Sequence, residues 1–177
     1  MVEMAQFEKV SFEQFVKDCK ANITEPVDEE ILKQVYDKIE LPTQATPGSA
    51  GYDFTSFCWF RIQRNQTVVV PTGIKVYIEP GWSLDLYPRS GLGFKYRLQL
   101  DNTVGIIDSD YYNNPKNEGH IMVSITNCTN KIDNTLIINP GDKFIQGIFH
   151  QYGVVYNNKP REETRTGGFG STDEHKN

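Results

Sequence analysis

Apolar and polar residues alternate along most of the chain after Ser49. Every second residue is apolar in the runs 74–78, 82–86 and 121–125, which is the period of a strand with one buried face. Glycine and proline separate these runs, as at 80–81. Because many short strands follow one another without helices between them, the pattern predicts an all-β domain of the sandwich, jelly-roll or barrel type.

The first 40 residues show a helical period instead. Ser11 and Gln14 fit a capping box at the start of one helix, and Asp28 fits the N-cap of a second. The predicted apolar stripes comprise Phe12, Phe15, Val16 and Cys19 in the first helix, and Ile31, Val35 and Ile39 in the second. Neither helix carries a polar cluster of catalytic type. We therefore interpret residues 1–40 as a helical N-terminal extension with a packing role.

Composition limits the class of protein. The 177 residues support one domain of ordinary size, or one domain plus a small accessory element. Hydrophobic residues make up 38% and charged residues 23%, which favours a folded chain. With 18 basic and 23 acidic residues the net charge is −5, which argues against broad binding of nucleic acid. The sequence has no apolar run near the roughly 18 residues of a membrane span and no signal-peptide pattern, so we expect no membrane partner and a cytoplasmic location.

The cysteines and histidines disfavour three classes of protein. Cys19, Cys58 and Cys128 are odd in number, lie far apart and fit no zinc-binding spacing. The three histidines are equally isolated. A thiol enzyme, a zinc enzyme and a disulfide scaffold therefore all become less favoured.

Five short stretches combine glycine with polar or charged residues: 48–53, 88–91, 102–111, 141–146 and 167–172. In the first, Asp53 could simply be a solvated acid near a turn. In the second, Arg89, Ser90 and Gly91 form either a β-turn or a phosphate site, because a guanidinium, a hydroxyl and an amide suit phosphate oxygens. The fourth predicts a turn followed by a strand that carries Gln146 within an apolar run.

The third and fifth stretches allow two interpretations each. Gly105 indicates a bend where backbone groups face a planar ligand, with Asp108 and Asp110 on one side of the chain, and the alternative is a hairpin with surface acids. The fifth stretch forms either a mobile tail or, with Arg165 and Phe169, a segment that closes over a phosphorylated aromatic ligand. It is not a Walker A loop, because no Gly-Lys-Ser/Thr follows.

Taken together and in this order, the five stretches resemble the motifs of the trimeric dUTPase family. They run from Leu41 to Thr172 and read LPTQATPGSAGYDF, YPRSGL, DNTVGIIDSDY, GDKFIQ and RTGGFGST. The resemblance implies an all-β, dUTPase-like jelly roll or β-clip. It divides the chain into the helical extension 1–40, a β domain 41–160 and a mobile glycine-rich tail 161–177 that closes the site. It also implies a homotrimer in which three chains share each active site.

The same resemblance implies hydrolysis of dUTP to dUMP and pyrophosphate, by Mg²⁺-assisted attack of water on the α-phosphorus. Asp108 would orient and deprotonate that water. Tyr111 would lie beneath the deoxyribose and leave no room for a 2′-hydroxyl group. Asn102 and the backbone from Gly105 to Ile107 would read the uracil edge.

The remaining implied contacts surround the phosphates and the base. Asp53 would hold Mg²⁺ through water, since this ion commonly keeps several of its waters. The phosphate-binding residues implied in the β domain are Arg89, Ser90, Gly91 and Gln146. The tail would bring Arg165 to the γ-phosphate and stack Phe169 on uracil. The substrate-binding residues implied in the tail are Arg165, Phe169, Gly170, Ser171 and Thr172.

The sequence departs from the family pattern after Tyr111. Many members continue almost directly with Gly-Glu, whereas here residues 112–119 form a short insertion near the implied sugar pocket. Two alternatives to dUTP hydrolysis stay open. One is a dCTP deaminase or a bifunctional deaminase–dUTPase, and the other is a dUTPase-fold regulator that binds a protein partner through the insertion or the N-terminal helices.

Overall fold

Strands dominate the computed structural model, which describes residues 3–23 and 27–159. In chain order the elements are β1 (Ala5–Lys9), α1 (Phe12–Asn22), α2 (Glu29–Asp37), β2 (Thr43–Gln44), β3 (Tyr52–Thr55), β4 (Phe60–Ile62), β5 (Thr67–Pro71), β6 (Ile74–Ile78), β7 (Trp82–Pro88), α3 (Ser90–Tyr96), β8 (Leu98–Leu100), β9 (Gly105–Asp108), a 3-10 turn (Ser109–Tyr111), β10 (Met122–Asn127), β11 (Leu136–Ile138) and β12 (Lys143–Gln151). None of the helices in this part of the chain has the length and apolar character that crossing a membrane requires.

The strands pair into small antiparallel sheets. A five-stranded sheet has the order β2-β3-β12-β7-β9, a three-stranded sheet has the order β5-β10-β8, and two-stranded sheets join β1 to β6 and β11 to β4. The alternation predicted for β6, β7 and β10 is confirmed, because their inward residues form the core: Ile74, Val76, Ile78, Leu84, Leu86, Val123 and Ile125. Removal of the apolar face of each strand from water is the main contribution to the stability of these sheets.

The two helices of the N-terminal extension are confirmed, with Ser11 and Asp28 as their N-caps. The reciprocal half of the predicted capping box is absent, because the Gln14 side chain donates to Asp18 and the Ser11 amide donates to Glu118. The amide of Gln14 donates to Ser11 Oγ at 3.1 Å, and the amide of Glu30 donates to Asp28 Oδ1 at 2.8 Å. Helix α1 buries most of its predicted stripe in the core, including Phe15. The extension also contains β1, which the sequence analysis missed. Since β1 pairs along its whole length with β6, the extension is part of the β structure.

Two local predictions are corrected by the structure. Of the stripe predicted for α2, Val35 packs against the core and Ile39 is buried just beyond the end of the helix, but Ile31 is 54% exposed and the buried residue of the helix itself is Leu32. The β-turn considered for residues 88–91 is instead the start of α3, a short helix that ends where Arg97 takes a left-handed conformation. The division at residues 40 and 160 stays a prediction, and the tail lies outside the described residues.

Candidate active site

A cleft of about 430 Å³ lies where β7, β8, β9 and β10 meet. It brings together four residues that the sequence assigned to the nucleoside: Asn102, Gly105, Ile107 and Tyr111. The wall behind them is apolar and includes Leu86, Leu100 and Val123. A mostly apolar cleft with a few polar and backbone groups is the usual form of a small-molecule site.

Gly105 shapes this cleft by allowing two strands to approach closely. It lies in β9 opposite Leu86 of β7, so it occupies a paired strand and not the bend predicted from the sequence. A Cβ atom at this position would lie 3.3 Å from Leu86 Cβ and 3.4 Å from Leu100 Cδ2. Because glycine lacks that atom, the backbone of β9 forms part of the cleft surface.

Asp108 is the last residue of β9 and precedes the 3-10 turn that carries Tyr111. It is half-buried and lies opposite Ser83, one position beyond the cleft-lining Ile107. Asp110 belongs to the 3-10 turn, so the extended backbone that would align it with Asp108 is not present. Tyr111 is almost completely buried, at 5% exposure. The predicted general base, Asp108, and the residue predicted to lie beneath the sugar, Tyr111, are thus only three positions apart, on either side of this turn.

The predicted phosphate-binding residues gather around β3, β12 and the end of β7. Asp53 lies directly opposite Gln146 in the pairing of β3 with β12. The Arg89 guanidinium donates to Asp53 Oδ1, and Lys143 Nζ lies 3.0 Å from Oδ2. The Asp53 side chain is only 3% exposed, whereas those of the two cations are 35% and 40% exposed. One buried carboxylate therefore holds two cations at the surface.

The environment of Asp53 keeps its side chain ionised. Burial by itself raises the pKa of this carboxyl group, but the hydrogen bond from Arg89 and the charges of Arg89 and Lys143 outweigh burial and lower the pKa. Lys143 Nζ, 3.0 Å from Oδ2, also lowers the pKa, and this buried oxygen accepts no hydrogen bond from any other described residue. It retains the capacity to accept one from a water molecule.

Ser90 and Gly91 form the first turn of α3, where backbone amides have no acceptor inside the helix. The turn is anchored because the amide of Arg89 donates to the carbonyl oxygen of Phe144 in β12 at 3.2 Å. Gln146 lies beside this turn, and its side-chain nitrogen Nε2 is 3.4 Å from the carbonyl oxygen of Pro88. The residues predicted to bind phosphate thus lie close together, with Ser90 and Gly91 on a helix and Gln146 on a strand.

Gly51 provides the space that Gln146 occupies. A Cβ atom on Gly51 would lie 2.6 Å from Gln146 Oε1, which is closer than real side-chain contacts. The first and fourth glycine-containing stretches therefore pack against each other through this residue pair.

Lys143 is a charged member of this region that the sequence analysis missed. The signal was its position in Gly-Asp-Lys, three residues before Gln146, but its contact with Asp53 depends on a register shift in β12 that no local pattern reveals. The predicted tail residues lie outside the described residues, so their roles stay predictions: Arg165, Phe169, Gly170, Ser171 and Thr172.

The residues around Asp53 suit a metal ion held mainly by its ligand. No group of three or more histidine, cysteine, aspartate or glutamate side chains within residues 3–23 and 27–159 is arranged to hold a metal. Mg²⁺ commonly takes phosphate oxygens and water with one or two carboxylates. The ionised carboxylate of Asp53, whose Oδ2 has Lys143 beside it and no other described donor, fits such an ion when contact is made through water.

Comparison with known proteins decides the family. A sequence model of the dUTPase family matches residues 37–173. The chain belongs to the dUTPase family. It is 41% identical over 135 residues to the deoxyuridine 5′-triphosphate nucleotidohydrolase of Lactococcus lactis subsp. lactis, covering 76% of this chain and 88% of that one. The enzyme of the same description from Glaesserella parasuis is 38% identical over 152 residues, with coverage of 81% and 95%.

Solved structures agree with the fold. The dUTPase from Streptococcus mutans superposes with a TM-score of 0.58 and 37% sequence identity, covering 76% of this chain and 95% of that one. The dUTPase from phage phi11 of S. aureus has a TM-score of 0.61 at 21% identity and covers 91% and 97% of the two chains. The dUTPase-like fold predicted from the five stretches is therefore confirmed.

Proposed function

We propose that the protein hydrolyses dUTP to dUMP and pyrophosphate through attack of water on the α-phosphorus. Membership of the dUTPase family supports this activity. The observation that carries it is the cleft in which Asn102, Gly105, Ile107 and Tyr111 meet, with Asp108 on the same strand. A nucleoside in this cleft has its base against backbone groups and its sugar towards Asp108, the last residue of β9.

The nucleoside end of the cleft supplies the groups that select the substrate and the general base of the reaction. The backbone from Gly105 to Ile107 and the amide of Asn102 bind the polar edge of uracil, where a carbonyl group and an amine require opposite partners. The ring of Tyr111 packs beneath the deoxyribose and excludes a 2′-hydroxyl by contact. Asp108 accepts the proton of the attacking water, because a half-buried carboxylate next to the reacting centre serves as a general base.

The phosphate end supplies positive charge and fixed donors. Arg89 binds a phosphate group with its guanidinium, and Ser90, Gly91 and Gln146 add hydroxyl, amide and side-chain donors. Asp53 binds Mg²⁺ through water and orients Arg89 and Lys143. When bound, Mg²⁺ neutralises part of the triphosphate charge that opposes attack by water.

The two ends of the site lie too far apart on one chain to act on one triphosphate. Asp108 is opposite Ser83 near the start of β7, whereas Arg89 follows the end of the same strand. Because a strand rises about 3.3 Å per residue, the six residues from Ser83 to Arg89 span about 20 Å. This separation supports a homotrimer in which one subunit supplies Asp108, another supplies Arg89, and the tail 161–177 closes the site.

The test is incubation of the full chain with Mg²⁺ and each of dUTP, dCTP, dTTP, dATP, dGTP and UTP. We expect dUMP and pyrophosphate from dUTP and little product from the others. Release of ammonia from dCTP would instead favour the deaminase alternative. Capture of a specific protein by a chain that hydrolyses none of the six would favour the regulatory role considered for the insertion and the N-terminal helices.

A further inference from the structure

The insertion that follows Tyr111 is held together by two asparagines. The side-chain oxygen of Asn114 accepts from the amides of Lys116 and Asn117 at 3.1 and 3.2 Å. Its side-chain nitrogen donates to Asn117 Oδ1 at 2.8 Å. Asn114 is 4% exposed, so these bonds are shielded from water. The 112–119 loop is therefore a compact unit in spite of its polar composition.

This loop holds Tyr111 at both its backbone and its hydroxyl group. Asn114 Nδ2 donates to the carbonyl oxygen of Tyr111 at 2.8 Å, and Asn117 Nδ2 donates to the Tyr111 hydroxyl at 2.7 Å. The hydroxyl in turn donates to the carbonyl oxygen of His120 at 3.0 Å. Gly119 has φ +80°, and a Cβ atom there would lie 2.6 Å from the Tyr111 carbonyl oxygen. The orientation of the tyrosine ring is thus set by the loop.

The N-terminal extension holds the loop through Glu118. Both carboxylate oxygens of Glu118 accept hydrogen bonds from Ser11, one from its amide at 2.9 Å and one from its hydroxyl at 2.6 Å. Ser11 is also the N-cap of α1, so the start of this helix and the end of the loop are fixed to each other. Hydrogen bonds to a carboxylate are stronger than those between neutral groups.

A second link joins α1 to the residue that follows the loop. The His120 side chain is completely buried, with Nδ1 2.6 Å from Asp18 Oδ2 in α1. His120 Nε2 accepts from the amide of Gly73 at 2.8 Å, which assigns the ring proton to Nδ1 and makes Asp18 its acceptor. Because Asp18 holds the His120 side chain, the N-terminal extension also fixes the His120 carbonyl oxygen that accepts from the Tyr111 hydroxyl.

We infer that the N-terminal extension is a specificity-determining element, in which Ser11 and Asp18 fix the 112–119 loop and thereby the position of Tyr111 against the sugar. Both residues precede residue 37, where the match to the dUTPase family begins. The inference rests on the proposed function of Tyr111 and adds that this chain controls sugar discrimination from outside the matched region. Ser11, Asp18 and Glu118 are positioning residues, since they reach the site only through the loop.

The experiment compares Glu118→Ala and Ser11→Ala with the unmodified enzyme as assembled full-length chains. Glu118→Ala removes both hydrogen bonds of the link, whereas Ser11→Ala removes only the one from the hydroxyl group. Both changes should raise the hydrogen-exchange rates of the amides of Asn113 and Asn114, Glu118→Ala the more strongly. It should also raise KM for dUTP more than it lowers kcat. The ratio of kcat/KM for dUTP to that for UTP should fall about tenfold, because small misplacements of a positioning group have effects of this size or larger.

Two further variants separate positioning from general destabilisation. Asp28→Ala removes the N-cap of α2, the other helix of the extension, and should leave the exchange rates and the substrate ratio unchanged. Glu118→Gln keeps an acceptor oxygen for Ser11, so its ratio of kcat/KM for dUTP to that for UTP should stay close to that of the unmodified enzyme. Equal ratios in Ser11→Ala and Asp28→Ala would overturn the inference, as would unchanged exchange in Glu118→Ala. If the unmodified chain does not hydrolyse dUTP, the proposed function fails, and an unchanged exchange rate alone would still refute the anchoring.

Discussion

Replacing Asp53 with asparagine removes a negative charge from between two cations while preserving the size of the side chain. Removing one partner of a fully buried ion pair costs about 3–5 kcal/mol. The side chains of Arg89 and Lys143 are 35% and 40% exposed, so water screens the repulsion that remains between them. We therefore expect Asp53→Asn to lower the free energy of unfolding at neutral pH by about 1–3 kcal/mol.

The pH dependence of this loss has a definite sign. Since the pKa of Asp53 is lower in the folded protein than its ordinary value, its ionisation stabilises the folded state at every pH above the unfolded pKa of about 3.9. The stabilisation disappears as the pH falls through the folded pKa. The difference between the unmodified protein and Asp53→Asn should be constant from neutral pH down to about pH 5 and should shrink at more acidic values.

The assay is urea unfolding at a series of pH values and at one protein concentration, because assembly makes the stability depend on concentration. Asp37→Asn is the control, since Asp37 pairs with Lys33 on α2 and both side chains are more than half exposed. An exposed pair of this type contributes about 0.3–0.5 kcal/mol. A loss in Asp53→Asn no larger than in Asp37→Asn, or a loss that grows as the pH falls, would refute this account of Asp53.

Three predictions concern the reaction. Asp108→Asn should lower kcat by about 10²-fold or more with dUTP still bound, measured by steady-state kinetics and equilibrium binding, and near-normal turnover would reject Asp108 as the base. Tyr111→Ala should raise the rate with UTP relative to dUTP in the same assay, and an unchanged ratio would move sugar selection elsewhere. A chain lacking residues 164–177 and an Asp108→Asn chain should each be inactive and should regain activity when mixed. Subunit exchange would be verified by mass spectrometry of the mixed trimers. If activity then does not recover, a site shared between chains is contradicted.

The alternating runs predicted β6, β7 and β10 because burial of one face leaves its period in the sequence. The period is too short to be distinctive in β1, where only Ala5 and Phe7 alternate with polar residues, no side chain is β-branched, and the partner β6 lies more than 60 residues away. Helix α3 was hidden for a different reason. It contains Gly91 and Gly93, which are poor helix formers, so its helical form is a product of its surroundings.

The same distinction applies to the site. Asn102, Gly105, Ile107 and Tyr111 are close in sequence, and a single motif could place them in one cleft. Contacts between distant segments depend on strand register and on packing, which local patterns do not encode. The contacts that were missed are of this second type, and they comprise Lys143 with Asp53, Glu118 with Ser11, and His120 with Asp18.

The bond between Ser11 and Glu118 has a consequence for synthesis of the chain. The two residues are 107 positions apart, so at the usual rates of translation the ribosome adds Glu118 about 5–20 s after Ser11. Until then the Ser11 amide and hydroxyl have no carboxylate to donate to, and the apolar face of α1 can pack on Tyr36 of α2 but has no completed core to enter. Helix α1 thus leaves the ribosome well before the residues that fix it to the loop, Glu118 and His120, have been synthesised.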